Sequence, residues 1–433
     1  MDASEFIKKN NLKIKSRIKL RVDGTDFEGI LLPSQDFLQI KLDNGYNVGF
    51  NPELIKSLEI IATPEEKIKA KQAQLEQDAS LPQIVILHTG GTIASKVDYG
   101  TGGVSPSFDA SEIVSLFPEL QKVARISSVF VSNIFSEDMR FENYAIIARE
   151  IAALLKDKPK GIIVTHGTDT MHYTASALAF MFENLPVPVI LVGSQRSSDR
   201  PSTDAMLNLV NAARFIAKTD FAGVAICMHS GLDSNACHIL PATKTRKMHS
   251  SRRDAFKAVN SRPIAKISED RLEYFGSYPK YTGGELKLYA KFEEKVGLLK
   301  ARPNISPEEI SFFQDKAYKG LIIEGTGLGH IGITEAKNKD NLKALQSLIS
   351  SGCIVCMTTQ CIFGEVNPNV YSTGRELKKA GVIFLHDMLA ETAYIKLAWL
   401  LGNFGKEKAL ELMEKNLRGE ISERSILEPL PSE

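Results

Sequence analysis

From Gln83 onward the sequence repeats one pattern, in which a short apolar run is followed by a polar loop and then by an amphipathic stretch. "QIVILHTGG" opens it. "KGIIVTHGTDT" leads into "MHYTASALAFMF", "VPVILVGSQ" into "DAMLNLVNAARFIA", and "FAGVAICMHSG" closes the first series. Runs of this kind, too apolar to have one wet face, predict a mostly parallel sheet covered by helices on both sides. The logic returns in "YKGLIIEGTG", "GCIVCMTTQ" and "AGVIFLHDML", the last followed by the helix-like "TAYIKLAWLLG". Between the two series, "EYFGSYPKYTGGELKLYA" (273 to 290) is rich in Gly and Tyr and reads as a bridge. A chain of 433 residues with 43% hydrophobic content exceeds one core, so two or three domains are expected.

The segment ahead of this body differs. Residues 12 to 61 contain short strand-like runs, "LKIKSRIKLRV", "DFEGILLP", "FLQIKLDNGYNVGF" and "IKSLEII", with "DG" and "NG" turn dipeptides between some of them. A compact five-stranded barrel fits them. The first run alternates, with Lys13, Lys15, Arg17, Lys19 and Arg21 on one face and Ile14, Ile18, Leu20 and Val22 on the other. Such a stripe is either a solvated edge strand guarded by lysines or a docking surface for RNA or a partner subunit. "ATPEEKIKAKQAQLEQDASLP" (62 to 82) is a charged, partly helical spacer. The expected organisation is therefore α/β with a β-barrel module in front. The module spans 1–75 with a linker to about 82, a first α/β lobe with the active site 83–274, a linker 275–293, and a second α/β lobe 294–433.

Lys and Arg number 53 against 52 Asp and Glu, so a net charge of +1 argues against nucleic-acid binding driven by the field of the whole molecule. No apolar run reaches the roughly 18 residues of a membrane span, and "MDASEFIKKNNLK" lacks the plan of a signal peptide, so a soluble cytoplasmic protein is expected. Of five cysteines, Cys353 and Cys356 form a C-x-x-C inside the apolar "GCIVCM". A zinc or redox site would need further ligands or a following helix; the alternative is buried reduced thiols in a strand.

In an open α/β sheet, ligands bind beyond the carboxyl ends of the strands. Three polar clusters fall there: Thr89 to Thr92, Thr165 to Thr170, and "GSQRSSDRPSTDA" from 193 to 205. "TGGTIASK" matches neither a P-loop nor a dinucleotide turn. Its paired glycines, Gly90 and Gly91, can still bring backbone N–H groups close to an oxyanion or carboxylate, with the Thr92 hydroxyl beside them. A threonine hydroxyl needs a base or a positive charge to become a nucleophile. Thr168 and Asp169 offer a second hydroxyl and a carboxylate at a helix start, although both are also ordinary N-cap residues. "ATKTRKM" supplies Lys244, read either as a proton carrier or as a surface lysine.

In order and placement, "ILHTGGTIAS", "VTHGTDTMHYTASAL" and "ATKTRKM" resemble the signature segments of the bacterial-type L-asparaginase and glutaminase family. The resemblance covers roughly residues 83 to 420 and implies an asparaginase-like body of two lobes. "GSQRSSDRPSTDA", "RKMHSSRRDAF", "TTQCIFGEVNPNVYSTGREL" and the β module in front look like one branch, the D subunits of archaeal glutamyl-tRNA(Gln) amidotransferases. It implies Thr92 as the nucleophile, and Thr168, Asp169 and Lys244 as the second catalytic group. Gly91 and Gly167 line the substrate, Ser136 holds its α-carboxylate, and Glu137 lies by its α-amino group. Tyr99 is the one tyrosine near enough to serve as the loop helper that asparaginases carry, though it departs from their usual placement. The donor is glutamine or asparagine, and the ammonia passes to a partner E subunit that amidates Glu-tRNA(Gln). No cofactor is implied for this chain: ATP and Mg2+ belong to the partner, and tRNA(Gln) binds mainly through it. A homodimer within a heterotetramer follows by analogy. A stand-alone cytosolic L-asparaginase and a non-catalytic amino-acid-binding subunit are the competing readings.

Overall fold

A computed structural model of the chain describes residues 2–33, 37–42, 47–63, 77–91, 95–97, 104–106, 118–196, 203–232 and 235–424. Thr92 and Tyr99 lie outside these residues, as do 64–76 of the charged spacer.

The front module opens with α1 (Ala3–Lys9), whose first turn is capped by the Asp2 carboxylate accepting from the Glu5 N–H at 2.7 Å. Strands β1 (Arg17–Val22), β2 (Thr25–Leu32), β3 (Leu38–Leu42), β4 (Asn47–Phe50) and β5 (Ile55–Ala62) form an antiparallel sheet ordered β4-β3-β2-β1-β5. Ile18, Leu20 and Val22 alternate inward onto a core shared with Leu31, Leu38, Ile40 and the helix residues Ala3 and Phe6. The edge-strand reading of the basic stripe is corrected here, because β1 is paired on both sides, by β2 and by β5. Its cations instead meet acids across the ladder, Arg17 to Glu28 at 2.6 Å and Lys19 to Asp26 at 3.1 Å. Partial neutralisation by β2 removes much of the stripe's attraction for a nucleic acid.

The body begins with β6 (Gln83–His88), the short hairpin β7 (Ser95–Val97) and β8 (Val104–Pro106), β9 (Arg125–Phe130) and α2 (Phe141–Leu154). Next come β10 (Gly161–Thr165), α3 (Met171–Met181), β11 (Phe182–Glu183), β12 (Pro188–Val192), α4 (Ala205–Lys218) and β13 (Gly223–His229). The lobe ends with β14 (Cys237–Pro241), the hairpin β15 (Thr245–Lys247) and β16 (Phe256–Ala258), then β17 (Ala265–Ile267), β18 (Leu272–Tyr274) and β19 (Lys287–Leu288). One eight-stranded sheet runs β18-β17-β14-β13-β12-β10-β6-β9, parallel from β9 to β13 and antiparallel beyond. Strict alternation sends Val85, Leu87, Ile162 and Val164 to one core, and Ile84, Ile86 and Ile163 to the other.

The chain leaves β6 towards β9 and leaves β10 towards β12, so the direction of travel reverses between two neighbouring strands. Helices α2 and α3 lie on the first core face and α4 on the second. Since α3 and α4 carry the chain across the sheet in the same direction on opposite faces, their crossovers have opposite hands, an exception to the usual right-handed rule.

The second lobe comprises β20 (Val296–Lys300), α5 (Pro307–Asp315), β21 (Gly320–Gly325), α6 (Lys339–Ser350), β22 (Ile354–Thr359), α7 (Ser372–Lys379), β23 (Ile383–Phe384) and α8 (Ala390–Leu412). Its sheet is parallel, ordered β20-β21-β22-β23, and α8 is broken at Gly405, where φ is +79°. Helix α3 is buried nearly all round, between the first sheet and α8, as its uniformly apolar sequence requires. The segment from 275 to 290 is strapped to the first lobe: Lys280 pairs with Asp220 at 2.7 Å, and Phe182 lies opposite Leu288 in the β11–β19 ladder. Cys353 and Cys356 enter different cores on opposite faces of the second sheet, so the C-x-x-C cannot bind one metal with both sulfurs.

The C-terminal end is fixed by a buried ion pair. Lys396 of α8 and Glu420, both fully buried, meet at 2.6 Å, and Glu420 also accepts the N–H groups of Leu417 and Arg418. Truncating one member leaves the other charge uncompensated, which typically costs about 3–5 kcal/mol, whereas an apolar pair of similar volume costs far less. Glu420→Ala should therefore lower the urea midpoint markedly. Lys396→Met with Glu420→Leu should recover most of that loss.

Candidate active site

Three loops meet at the carboxyl ends of β6, β9 and β10. The β6 loop is tied to β10 by Thr89, whose hydroxyl and N–H both donate to the Thr165 carbonyl, at 2.8 and 3.3 Å. The β9 loop returns through Ser132 and Ile134, which donate to the Thr89 carbonyl at 3.0 and 3.1 Å. The Thr170 hydroxyl donates to the Ser136 carbonyl and closes the ring. Gly91 has φ of +83°, and a Cβ there would lie 2.7 Å from the Gly167 nitrogen and from the His166 carbonyl carbon. A Cβ on Gly167 would fall 2.8 Å from the Ser136 Cβ. Only glycine permits three backbones to approach this closely.

Thr168 and Asp169 sit just ahead of α3. Neither caps the helix: Thr170 is the N-cap residue and makes no side-chain cap bond. Their side chains are free to meet Lys247 at the end of β15, whose ammonium donates to the Thr168 hydroxyl at 2.8 Å and the Asp169 carboxylate at 2.6 Å. The lysine side chain is 9% exposed, that of Asp169 65%. A cation, a hydroxyl and a carboxylate thus share one point beside the glycine loops. Such a trio can take up, hold and return a proton at an acyl-transfer centre.

The assignment of Lys244 to this cluster is corrected by the geometry. Its ammonium, 1% exposed, is held by the Asp387 carboxylate at 2.6 Å and the Asp387 carbonyl at 3.0 Å. Burial pulls its pKa below the ordinary lysine value, against the upward pull of Asp387. The reason is strand periodicity: Lys244 and Arg246 share one face and reach Asp387 and Glu391 at and near the start of α8. Lys247, one step out of phase, turns towards Thr168. The run "KTRK" carries both lysines, and what separates them is the phase of the three-residue strand that follows Lys244, which the sequence does not fix.

Of the remaining predicted residues, Ser136 is buried beside Gly167, and its hydroxyl lies 3.4 Å from the carboxylate of exposed Glu137. His166, which belongs to the segment "VTHGTDT" but is given no role by the sequence, lies under the site with Nδ1 at 2.7 Å from the Gly167 carbonyl and Nε2 at 2.9 Å from the Thr174 hydroxyl. Burial lowers its pKa to about 4. Asp204 organises the third polar loop, accepting from the Gln195 and Arg196 N–H groups at 2.9 and 3.0 Å. Asn208 anchors the Gly193 carbonyl at 3.0 Å. A Cβ on Gly193 would lie 2.8 Å from the Thr168 methyl, so this loop packs against the site from the β12 side.

Family models match three parts of the chain: "GatD N-terminal domain" over 12–61, "Asparaginase, N-terminal" over 83–280, and "Glutaminase/Asparaginase C-terminal domain" over 295–413. The D subunit of the glutamyl-tRNA(Gln) amidotransferase of Pyrococcus furiosus is 46% identical, with 98% of each chain covered. The chain belongs to the family of glutamyl-tRNA(Gln) amidotransferase D subunits. It is accordingly an enzyme subunit of the amidotransferase class on an asparaginase-type fold. The corresponding D subunit of Methanococcus maripaludis strain C7 is 44% identical over 95% of this chain and 98% of its own. Among solved structures, the thermostable L-asparaginase from Thermococcus kodakarensis matches with a TM-score of 0.70 and 31% identity, covering 78% of this chain and 99% of that one. L-asparaginase I from Vibrio cholerae matches with a TM-score of 0.68 and 30% identity, covering 79% and 100%. Among the described residues no helix is long and apolar enough to cross a membrane.

The buried charges set two measurable quantities. Lys244→Met strands the Asp387 carboxylate between the lobes and should cost about 3–5 kcal/mol in denaturant unfolding, while leaving substrate KM unchanged. Burial holds His88, His166 and His238 down to about 4 and His172 to about 3, against roughly 6.5 in the unfolded chain. Between these values the unfolded state binds protons that the folded state refuses, so stability is full above pH 6.5 and falls as pH drops towards 4. Scanning calorimetry from pH 7 to 5 should show the midpoint falling, with uptake of more than one proton per chain on unfolding.

Proposed function

We propose that this chain is the ammonia-releasing subunit of a tRNA-dependent amidotransferase. It hydrolyses the side-chain amide of glutamine or asparagine, and a partner E subunit uses the ammonia with ATP and Mg2+ to convert Glu-tRNA(Gln) to Gln-tRNA(Gln) in the cytoplasm. The observation that carries the reading is the Lys247 ammonium in simultaneous contact with the Thr168 hydroxyl and the Asp169 carboxylate, beside the loop that leads to Thr92. The names and near full-length coverage of the D-type relatives support the amidotransferase assignment.

In this mechanism Thr92 Oγ attacks the amide carbon and gives up its proton, and backbone N–H groups of the glycine loops receive the oxyanion. The C–N bond breaks, nitrogen leaves as ammonia with a proton delivered by the site, and an ester remains on Thr92. Water then attacks that ester, losing its proton through the Thr168–Lys247–Asp169 group, and glutamate or aspartate departs. Gly91 and Gly167 shape the floor. Ser136 binds the substrate's α-carboxylate, and Glu137 faces its α-amino group. Tyr99 assists from the loop. The front module docks the partner subunit, and the chain works as a homodimer inside a heterotetramer.

Lys247→Met should reduce ammonia release by about 10^2–10^4-fold with the fold intact by circular dichroism, the range for loss of a positioned acid–base group. Mass spectrometry then assigns the nucleophile: Thr168→Val should accumulate an acyl-enzyme on Thr92, and Thr92→Val should give none. An acyl adduct on the Thr92→Val protein would move the covalent bond to the other threonine. Removal of residues 1–75 should abolish co-purification with an ATP-using partner and the tRNA amidation that depends on it.

A further inference from the structure

His166 is buried at 1% exposure directly after β10, with its N–H donating to the Val192 carbonyl at 3.0 Å, so its backbone is still held by the sheet. Its ring bridges two groups of different character. The Gly167 carbonyl, 2.7 Å from Nδ1, can only accept a hydrogen bond. Nδ1 therefore carries the hydrogen, Nε2 is left as an acceptor, and the Thr174 hydroxyl at 2.9 Å donates to it. Burial keeps the imidazole neutral well below neutral pH. One tautomer is thus fixed from both sides.

The consequence falls on the peptide between Gly167 and Thr168. It is trans, as are all peptide bonds of the described residues, so its C=O and N–H point in opposite directions. Drawing the Gly167 oxygen down onto His166 turns the Thr168 N–H up, away from the interior. No group among the described residues accepts a hydrogen bond from that N–H. Gly91 packs against the preceding peptide, between His166 and Gly167, and Ser136 against Gly167 itself, so closely that a Cβ on Gly91 or Gly167 would collide.

We propose that His166 is a positioning residue for the amide hydrolysis: as a neutral Nδ1–H tautomer held by Thr174, it clamps the Gly167–Thr168 peptide so that the Thr168 N–H faces the oxyanion of the reacting amide. The inference rests on the proposed hydrolase function and adds to it a residue that acts through the Gly167–Thr168 peptide. A donor aimed in advance at the developing charge needs no reorganisation during reaction, and loss of one such donor costs about 100-fold or more in kcat.

The test uses the full chain with its partner subunit, glutamine and asparagine as substrates, and ammonia release as the readout. His166→Asn places an amide N–H about as far from Cα as Nδ1 and preserves the clamp; His166→Ala removes it. The expected result is a fall in kcat of about 100-fold for His166→Ala with KM little changed, and rescue of most of that loss by His166→Asn. Equal kcat for wild type and His166→Ala, or His166→Asn as impaired as His166→Ala, overturns the proposal. Where His166→Ala does not fold, the wild-type protein decides by 15N NMR of its histidines. A resonance for His166 protonated at Nδ1, unchanged from pH 5 to 8 and disturbed by Thr174→Val, supports the clamp; an Nε2–H tautomer or titration near pH 6.5 overturns it. A wild type that releases no ammonia counts against the hydrolase reading itself, and the NMR result still judges the tautomer.

Discussion

Two adjacent parallel strands, β6 and β10, pass their chains in opposite directions across the sheet, and everything at the candidate site depends on that divergence. Where neighbouring crossovers go the same way, the loops above the strands crowd together. Where they part, a crevice opens at the carboxyl ends. Here the β6 loop supplies the paired glycines and the β10 loop supplies Thr168 and Asp169. The backbones are brought to contact by the bonds from Thr89 to Thr165. The glycines are required by this closeness, and no phosphate need be invoked to explain them. The chain between β12 and α4 adds the third side, packing Gly193 against Thr168.

The second lobe contributes by holding the lysine hairpin in place. Lys244 and Arg246 are fastened to Asp387 and Glu391, so the strand that carries Lys247 cannot slide along or rotate away from the first lobe. A slip of one residue would exchange the two faces, turning Lys247 towards the interior and bringing Arg246 or Met248 to the hydroxyl. Burial decides the energetics: the Lys244–Asp387 pair is almost free of solvent, and losing either partner is severe, whereas one side of the Lys247–Asp169 pair lies open to water.

Much of this is legible in the sequence. The α/β alternation, the front β module and the strand-end position of the glycine and Thr-Asp clusters all follow from apolar periodicity and turn chemistry, because both are local properties. Which lysine joins the cluster is not legible, since it depends on the phase of a strand only three residues long, starting after a turn whose length the sequence leaves open. The basic stripe of β1 reads as an edge for a similar reason: alternation gives the faces of a strand and says nothing about how many neighbours it has. The role of His166 is not legible although the residue lies in the "VTHGTDT" segment, because its partners come from the following helix and from its own neighbour's carbonyl, which the segment does not specify.

The unequal exposure of the two lysine pairs bears on how a proton can move here. An ion pair with one side 65% exposed is worth at most about 1 kcal/mol, so Lys247 and Asp169 add little to the stability of the fold. In the proposed mechanism that weakness leaves the pair free to part and re-form in each turnover. The buried pairs, Lys244–Asp387 and Lys396–Glu420, have the opposite property and belong to the frame. The two lysines of this hairpin are therefore divided by the burial of their partners: Lys244, whose carboxylate is sealed, holds the lobes together, and Lys247, whose carboxylate meets water, is the one in contact with the Thr168 hydroxyl.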